Sequence, residues 1–518
     1  MRLVSVDEMR EIEAKTFASG TSGEELQARA GQAVAAFVAR RSTSPGRVVA
    51  LVGSGNNGRD AFIAARELRA DGWDATLYLT PRHAVTEDEL HAFVQIGGGV
   101  LWHPDGFTGV AMDTALQQAT VVVDGLLGIG ARGAPRPPLD EIIVELNRIR
   151  TERRELFVVA VDAPSGVDAD SGAASLAVVA DATVVLGGMK KGLVAPEAFR
   201  YTGELVPADI GVMDGPQGAP EIVTAEFVGG LLPRPSSSAH KGSFGRLLVV
   251  AGSADYIGAA YLVCAAAVRA GAGIVTLAAP PSLRDVVASR LAEVTFLPLP
   301  EGGPAAEPEE CAHRVVEQID TFNGLAIGPG LSTKGGVGDF VESVLRARAR
   351  AGLNAVVDAD ALNVLSERPD WPSWIGSGVV MTPHLGELRR LAHLEDGEQP
   401  WETASRLSNE WRVCLVIKGP CTAIGTAGET WIHARPNPAL ATGGTGDVLT
   451  GITGGLLTRG LQTKDAARLA VWVHGEAGAA LAKERAAGGL MASELLPQIP
   501  AALMVPPAPL PLRQERGR

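Results

Sequence analysis

Cysteine is scarce. Only Cys264, Cys311, Cys414 and Cys421 occur in 518 residues, none in a Cys-x-x-Cys pair, and no Cys/His set has zinc-ligand spacing. That excludes a disulfide framework and a structural zinc, and the thiols read as buried or idle in a reducing compartment. Excess positive charge is also missing. With 46 Lys+Arg against 59 Asp+Glu the formal charge is −13, and no basic stripe offers itself to a phosphate backbone, so no nucleic-acid partner is expected. Long hydrophobic runs are absent too. The longest uncharged apolar stretch, Tyr256 to Val268, stops at Arg269 and is too short to cross a bilayer. The start of the chain, with Asp7, Glu8, Glu11 and Glu13, has no secretory core, so a cytoplasmic location off the membrane is expected. Lysine is rare at 8 against 38 Arg. Lysines in glycine-containing turns therefore stand out for their compact ammonium: Lys190, Lys241 and Lys418.

What is present fits a folded protein. Hydrophobic residues make up 46% and charged ones 20%, which supplies a core and excludes disorder as the main state. Two α/β halves are predicted, each built of strand–glycine–helix units. Strands are expected at Arg47–Val52, Ala75–Leu79, Thr120–Asp124, Leu156–Asp162 and Ala182–Leu186, with a helix at Ala61–Ala70. The connector Asp214–Pro220 places the boundary near 215–225, and Pro233–Ser238 is a second punctuated stretch. The pattern then restarts with strands at Arg246–Val250, Ile274–Ala279, Leu325–Ile327, Ala355–Asp358, Val379–Thr382, Val413–Lys418 and Thr430–His433. Helices are expected at Gly258–Ala270, Gly446–Thr458 and Lys464–Glu484. The domains are read as 1–217 and 222–503, with 504–518 a disordered tail.

In the first half, Gly53-Ser54-Gly55-Asn56-Asn57-Gly58-Arg59-Asp60 joins a strand to a helix, where backbone N–H groups and the helix N-terminus favour an anion. Two adjacent Asn add oxygens suited to a hard cation. The alternative is a tight turn with Asn in the left-handed region and Asp60 capping the helix. Val123–Gly130 and Val161–Asp168 follow two more strands. The carboxyl ends of parallel strands line one crevice, so Asp60, Asp124 and Asp162 are expected to converge.

These motifs, with Gly188-Met189-Lys190-Lys191-Gly192 and the opening EMREIEAKTF helix, resemble the NAD(P)H-hydrate epimerases over about residues 1–215. The resemblance implies a Rossmann-like three-layer fold binding hydrated NAD(P)H, with K+ held by Asn57, Asp124 and Ser165. Substrate contacts then map to Asn56, Asn57, Gly58, Arg59 and Asp60, to Gly128, Ile129, Gly130, Ala131, Arg132, Gly133 and Ala134, and to Asp162. The family usually carries Gly where this chain has Arg59, which either clamps a phosphate or crowds the loop. Asp162 is the candidate acid/base, since inverting a carbinolamine needs a proton moved at the hydroxyl. Lys190 is a second candidate, with an exposed solvated lysine as its alternative.

In the second half, Ala441-Thr442-Gly443-Gly444-Thr445-Gly446-Asp447 enters a helix. Successive N–H groups there form an anion hole for a transferring phosphoryl group, with Asp447 placed to take a proton from the attacking hydroxyl. A capping Asp on a Gly-rich turn is the alternative. Accompanying it are His240–Gly245, Gly252-Ser253, Gly258-Ala259-Ala260, Gly328–Leu331, Asp358–Asn363, Thr382–Glu387 and Lys418–Thr422. The set resembles the ADP-dependent NAD(P)H-hydrate dehydratases of the ribokinase-like superfamily, over about 225–500. It implies that Ala259, Gly330, His384 and Asp447 contact the hydrated nucleotide. Lys418, Gly419, Pro420, Cys421, Thr422 and Gly446 then contact ADP, assisted by Mg2+. Together the halves resemble the bifunctional repair enzymes of NAD(P)H hydrates, and a homo-oligomer is expected. Two rivals stay open at this point: a kinase for a small hydroxymethyl heterocycle, and a non-catalytic ligand-binding or scaffold N-terminal domain.

Overall fold

A computed structural model describes residues 1–42, 44–103, 110–232, 238, 240–484 and 489–504. Residues 505–518 of the expected tail, and 233–237 of the second punctuated stretch, lie outside the described residues. The chain divides into two compact units, Met1–Ile222 and Val223–Arg518. Both are α/β, the class expected from the sequence.

In the first unit seven strands form one parallel sheet in the order Gly99–Trp102, Asp74–Leu79, Arg47–Val52, Val121–Gly125, Phe157–Val161, Ala182–Leu186, Glu204–Ala208. Strand side chains alternate between faces, and both faces are buried. Val48, Ala50 and Val52 pack with Ala30, Val34 and Phe62 of the helices Gly23–Arg41 and Asn56–Ala70. Val49 and Leu51 pack on the other side with Leu116, Ile142 and Leu146 of Val110–Gln118 and Leu139–Glu152. The result is three layers, with a switch point between Arg47–Val52 and Val121–Gly125.

The glycine-rich turn is tighter than the sequence suggests. The helix begins at Asn56, not Ala61, with Gly55 as its N-cap, so both Asn lie in the first turn and Asp60 inside the helix caps nothing. Gly58 makes this possible, because a Cβ there would overlap the carbonyl oxygen of Gly53. Gly58→Ala should cost about 3 kcal/mol of stability, the upper range for overpacking. Thermal unfolding would show a lowered Tm, and an unchanged Tm would contradict the contact.

In the second unit the parallel strands run Val294–Pro298, Ile274–Ala279, Arg246–Val250, Gly324–Ile327, Ala355–Val357, Val379–Met381, Cys414–Ile417. Two antiparallel strands, Thr422–Thr426 and Glu429–His433, complete that side. Thr422, expected in a phosphate loop, thus opens a strand. The helices Ile257–Arg269, Thr445–Thr458 and Thr463–Glu484 contribute to the core over this sheet. Thr445–Thr458 is nearly all buried, and Gly451 and Gly455 let it approach the backbone of Ile257–Arg269 at Val263 and Ala267. No described helix is long and apolar enough to cross a membrane.

Candidate active sites

In the first unit the strand Phe157–Val161 ends at Asp162, whose φ of 62° is in the left-handed region that few non-glycine residues adopt. The twist turns its carboxylate inward, where it accepts from the Leu186 N–H at 2.9 Å and from Lys190 Nζ. Lys190 is fully buried and also donates to the Leu186 carbonyl at 2.9 Å, so it is no solvated surface lysine. Its backbone is fixed by parallel pairing of Leu3–Val4 with Met189–Lys190.

Two further carboxyls face this pair electrostatically. Asp60 is 5% exposed, and its Oδ1 has no hydrogen-bond partner. Burial, then the charges of Asp162 and Glu13, push its pKa well above the usual carboxylate range. Glu13, on the helix Val6–Ala18, is raised by burial and by Asp162 against the opposing pull of Lys190. Three carboxyls around one ammonium cannot all ionise cheaply, and Asp60, the most deeply buried without a hydrogen-bond partner on Oδ1, holds its proton more tightly than an ordinary carboxyl, while Asp162 is the one bonded to Lys190. From sequence Glu13 reads only as part of the opening EMREIEAKTF helix, because nothing in that stretch says which of its carboxyls turns toward Asp162.

Asp124 forms a neighbouring and separate site. It is fully buried, accepting from Ser165 N at 2.8 Å, Ser165 Oγ at 2.6 Å and Leu126 N at 3.2 Å. No Lys or Arg pairs with it among the described residues, and burial pushes its pKa up to about 6. Asn57 lies beside it in the fold, its amide donating to the carbonyls of Leu127 (3.2 Å) and Val161. Gly128 packs directly on the Asn57 side chain. Asn57, Asp124, Ser165 and Gly128 are therefore brought together.

The remaining predicted contacts are more scattered. Asn56 is exposed and accepts from Gln27 at 3.3 Å. Arg59 pairs its guanidinium with Glu89 and lays it over the Phe62 ring. Ile129 packs near Val4, Met9 and Ile12, and Gly130 lies near Arg10. Ala131 closes a turn onto the Gly128 carbonyl, and Arg132 acts electrostatically on Asp168. Gly133 and Ala134 are exposed further along this loop.

In the second unit Asp447 lies in the first turn of Thr445–Thr458, behind Gly444 in the left-handed conformation. Such a turn leaves N–H groups without intrahelical partners, a ready anion site. Thr445 pins the preceding loop by donating to the carbonyls of Leu440 (2.8 Å) and Thr442 (2.9 Å). Burial, then the charges of Asp358 and Asp360, push the Asp447 pKa up to about 7, opposed by Lys418.

Lys418 donates to Asp358 Oδ1 at 2.8 Å and lies 3.8 Å from Glu387. Burial works against its ammonium, but Asp358 and Glu387 outweigh it and hold its pKa above the usual value. A Cβ on Gly446 would stand 3.4 Å from Lys418 Nζ, so these two predicted residues meet. Thr450 donates to Asp358 Oδ2 at 2.7 Å. Asp358 and Glu387, which lie at the ends of motifs noted in the sequence without a role, thus belong to the site, and so does Thr450, which no motif marks. His474 joins them, its buried ring neutral with a pKa of about 4 and its Nε2 on the Thr445 carbonyl at 2.9 Å.

His384 is the N-cap of Leu385–Leu391. Its Nδ1 accepts from Gly386 N (2.9 Å) and Glu387 N (3.2 Å), which puts the neutral ring's proton on Nε2. It bridges to Lys418 along the backbone. Ala259 and Gly330 meet through the close approach that Gly330, at φ +65°, permits. Gly419, Pro420 and Cys421 form the turn leading into the strand that Thr422 begins.

Comparison with known proteins bears on both units. A family model described as YjeF-related protein N-terminus matches residues 23–192, and one described as NAD(P)H-hydrate dehydratase matches 247–501. The chain is 35% identical to the bifunctional NAD(P)H-hydrate repair enzyme of Moorella thermoacetica over 470 residues, covering 88% of this chain and 87% of that one. With the enzyme of that name from Coxiella burnetii, identity is 32% over 95% of this chain and 97% of the other. Among solved structures, an ADP/ATP-dependent NAD(P)H-hydrate dehydratase from Bacillus subtilis is 31% identical. It matches 54% of this chain and 97% of its own, with a TM-score of 0.47.

Proposed function

Since the chain belongs to the bifunctional NAD(P)H-hydrate repair enzymes, we propose that its first unit interconverts the R and S hydrates and its second returns the S form to NAD(P)H, converting ADP to AMP and phosphate. The observation that carries the second half is Asp447, a half-buried carboxyl in the first turn of a helix, its pKa pushed up to about 7. Near pH 7 it is poised to take the proton of the ring hydroxyl as that oxygen attacks the terminal phosphorus of ADP. The bond from phosphorus to the bridging oxygen breaks and AMP departs. The ring nitrogen then expels phosphate, and loss of the adjacent C–H proton restores the double bond. Lys418, held by Asp358, and the N–H groups of Gly444 and Gly446 carry the developing phosphoryl charge. The kinase rival predicts a phosphorylated product that persists. Incubating the S hydrate with ADP and separating the products tests this: one AMP per NAD(P)H supports the reading, and an accumulating phosphorylated hydrate contradicts it.

In the first unit the hydroxyl-bearing carbon adjoins the ring nitrogen. Asp60 gives a proton to the hydroxyl, water leaves as the nitrogen pushes in its lone pair, water returns from the other face as Asp162 takes its proton, and passage of that proton back to Asp60 restores the site. The net change is inversion alone. Arg59 gives no support to a scaffold role, since Glu89 occupies it.

The ions fit the residues present. A buried carboxylate without a cationic partner, ringed by Ser165 Oγ and the Leu127 and Val161 carbonyls, suits K+ at Asn57, Asp124 and Ser165. K+ held there would neutralise Asp124. Among the described residues no group of three or more His, Cys, Asp or Glu is placed to hold a metal unaided. Mg2+ suits a site where nucleotide phosphates supply most ligands, with Asp358, Asp360 and Asp447 near enough to repel one another. It would supply charge neutralisation on the phosphates. Four free cysteines support a reducing, cytoplasmic setting. A homo-oligomer is part of this reading, for sedimentation to test.

Thr450 tests the supporting layer. Thr450→Val removes a hydrogen bond to Asp358, and the nucleotide KM should rise about tenfold, the scale of a lost bond to a charged group. An unchanged KM would remove Asp358 from the account.

A further inference from the structure

Numbered by chain position within the sheet, the strands of the first unit run third, second, first, fourth, fifth, sixth, seventh. That is the dinucleotide order. In such sheets the pyrophosphate lies over the helix after the first strand. The loop closing the second strand reads the adenosine 2′ position, with an acidic residue for a hydroxyl and an arginine for a phosphate. Here the reactive cluster of Asp162 and Lys190 is on the fifth- and sixth-strand side of the switch point. The adenosine end of the substrate then falls on the opposite side, over the second and third strands, Asp74–Leu79 and Gly99–Trp102.

The chain places a distinctive group there. Thr80-Pro81-Arg82-His83 closes the second strand, with no carboxylate among residues 80–85. Arg82 is exposed and forms no ion pair among the described residues. The loop is tied to the glycine-rich turn: Thr80 Oγ1 donates to the carbonyls of Val52 and Arg82, and Ala84 N donates to the Gly53 carbonyl at 3.0 Å. Trp102, opposite Leu79 in the ladder, is 54% exposed and packs edge-on against His83 at 5.3 Å. His83 Nδ1 is buried without a partner.

We propose that Arg82, His83 and Trp102 form an adenosine subsite in which Arg82 binds a 2′-phosphate and Trp102 stacks on the adenine, so that the epimerase prefers the hydrate of NADPH to that of NADH. The inference rests on the epimerase reading above and names the substrate that site favours. Arg–phosphate pairs are charge-assisted and bidentate, and a purine offers its face to an exposed indole.

The test uses the full chain without adenine nucleotide, so that the dehydratase is idle. Pure R hydrates of NADPH and NADH are supplied and the epimers separated by chromatography. The kcat/KM should favour the NADPH hydrate by about tenfold or more, mainly through KM, and Arg82→Ala should erase most of that ratio while Arg82→Lys retains part. Trp102→Ala should weaken both hydrates alike. Equal use of the two hydrates by the unaltered chain, or a ratio that Arg82→Ala does not move, overturns the subsite and leaves the epimerase reading standing. A chain that epimerises neither hydrate sinks that reading, and this subsite with it. Arg82 is exposed and unpaired, so its variants should melt with the parent, and a lowered Tm would count against the placement.

Discussion

Asp447→Asn abolishes dehydration of the S hydrate, lowering kcat by about three orders of magnitude or more, while R/S interconversion continues at its original rate. The size follows from two losses at one atom. Asn cannot accept the hydroxyl proton, and the attacking oxygen must then shed it to water without a positioned base. The replacement is nearly isosteric, and it removes a charge that burial already disfavours. Folding should be intact, and Tm should hold or rise. The same carboxyl predicts a pH dependence of known sign. Its raised pKa of about 7 leaves it protonated and idle in acid, so kcat should climb as pH rises through about 7 and then level. A profile flat across neutrality, or dehydration surviving in Asp447→Asn, would assign the base to another group.

Asp162→Asn does the converse, with epimerisation lost by about two to four orders of magnitude and dehydration of pure S hydrate unaffected. Asn is the right replacement because it tolerates the left-handed φ of 62° that most residues would resist. The cost is Lys190, left buried without its counter-charge, and breaking such a pair typically removes about 3–5 kcal/mol. Stability must therefore be followed beside activity. The double variant Asp162→Asn/Lys190→Met separates the two effects: it should recover Tm and remain inactive as an epimerase. Recovery of epimerisation in the double variant would make the pair structural and move the chemistry elsewhere.

Much of this was legible in the chain. Arg47–Val52, Ala182–Leu186, Arg246–Val250 and Ile274–Ala279 read to the residue, because each is a largely apolar run with a turn residue close by. Three of the missed strands share a physical cause. Gly99–Trp102, Glu204–Ala208 and Val294–Pro298 lie at sheet edges and are only partly buried, so they carry no continuous apolar signal. Thr422–Thr426 hides behind Lys418-Gly419-Pro420, whose glycine and proline read as a loop. The early helix start at Asn56 depends on Gly58 touching Gly53, a backbone contact that composition does not announce. Motifs marked Asp162, Asp358 and Asp447. What they could not mark was pairing across the fold: Lys190 turned inward, Glu13 brought in from the opening helix, Thr450 and His474 bracing the phosphoryl site.

The most direct measurement supplies R and S hydrates separately, with no nucleotide, with ADP and with ATP, while following reduced-nicotinamide absorbance and epimer composition. The account predicts that without nucleotide either epimer relaxes to a mixture and absorbance stays flat. With ADP both epimers return to NAD(P)H, each turnover releasing one AMP and one phosphate. An R hydrate that persists beside a working dehydratase, or a hydrate that is phosphorylated and goes no further, would contradict it.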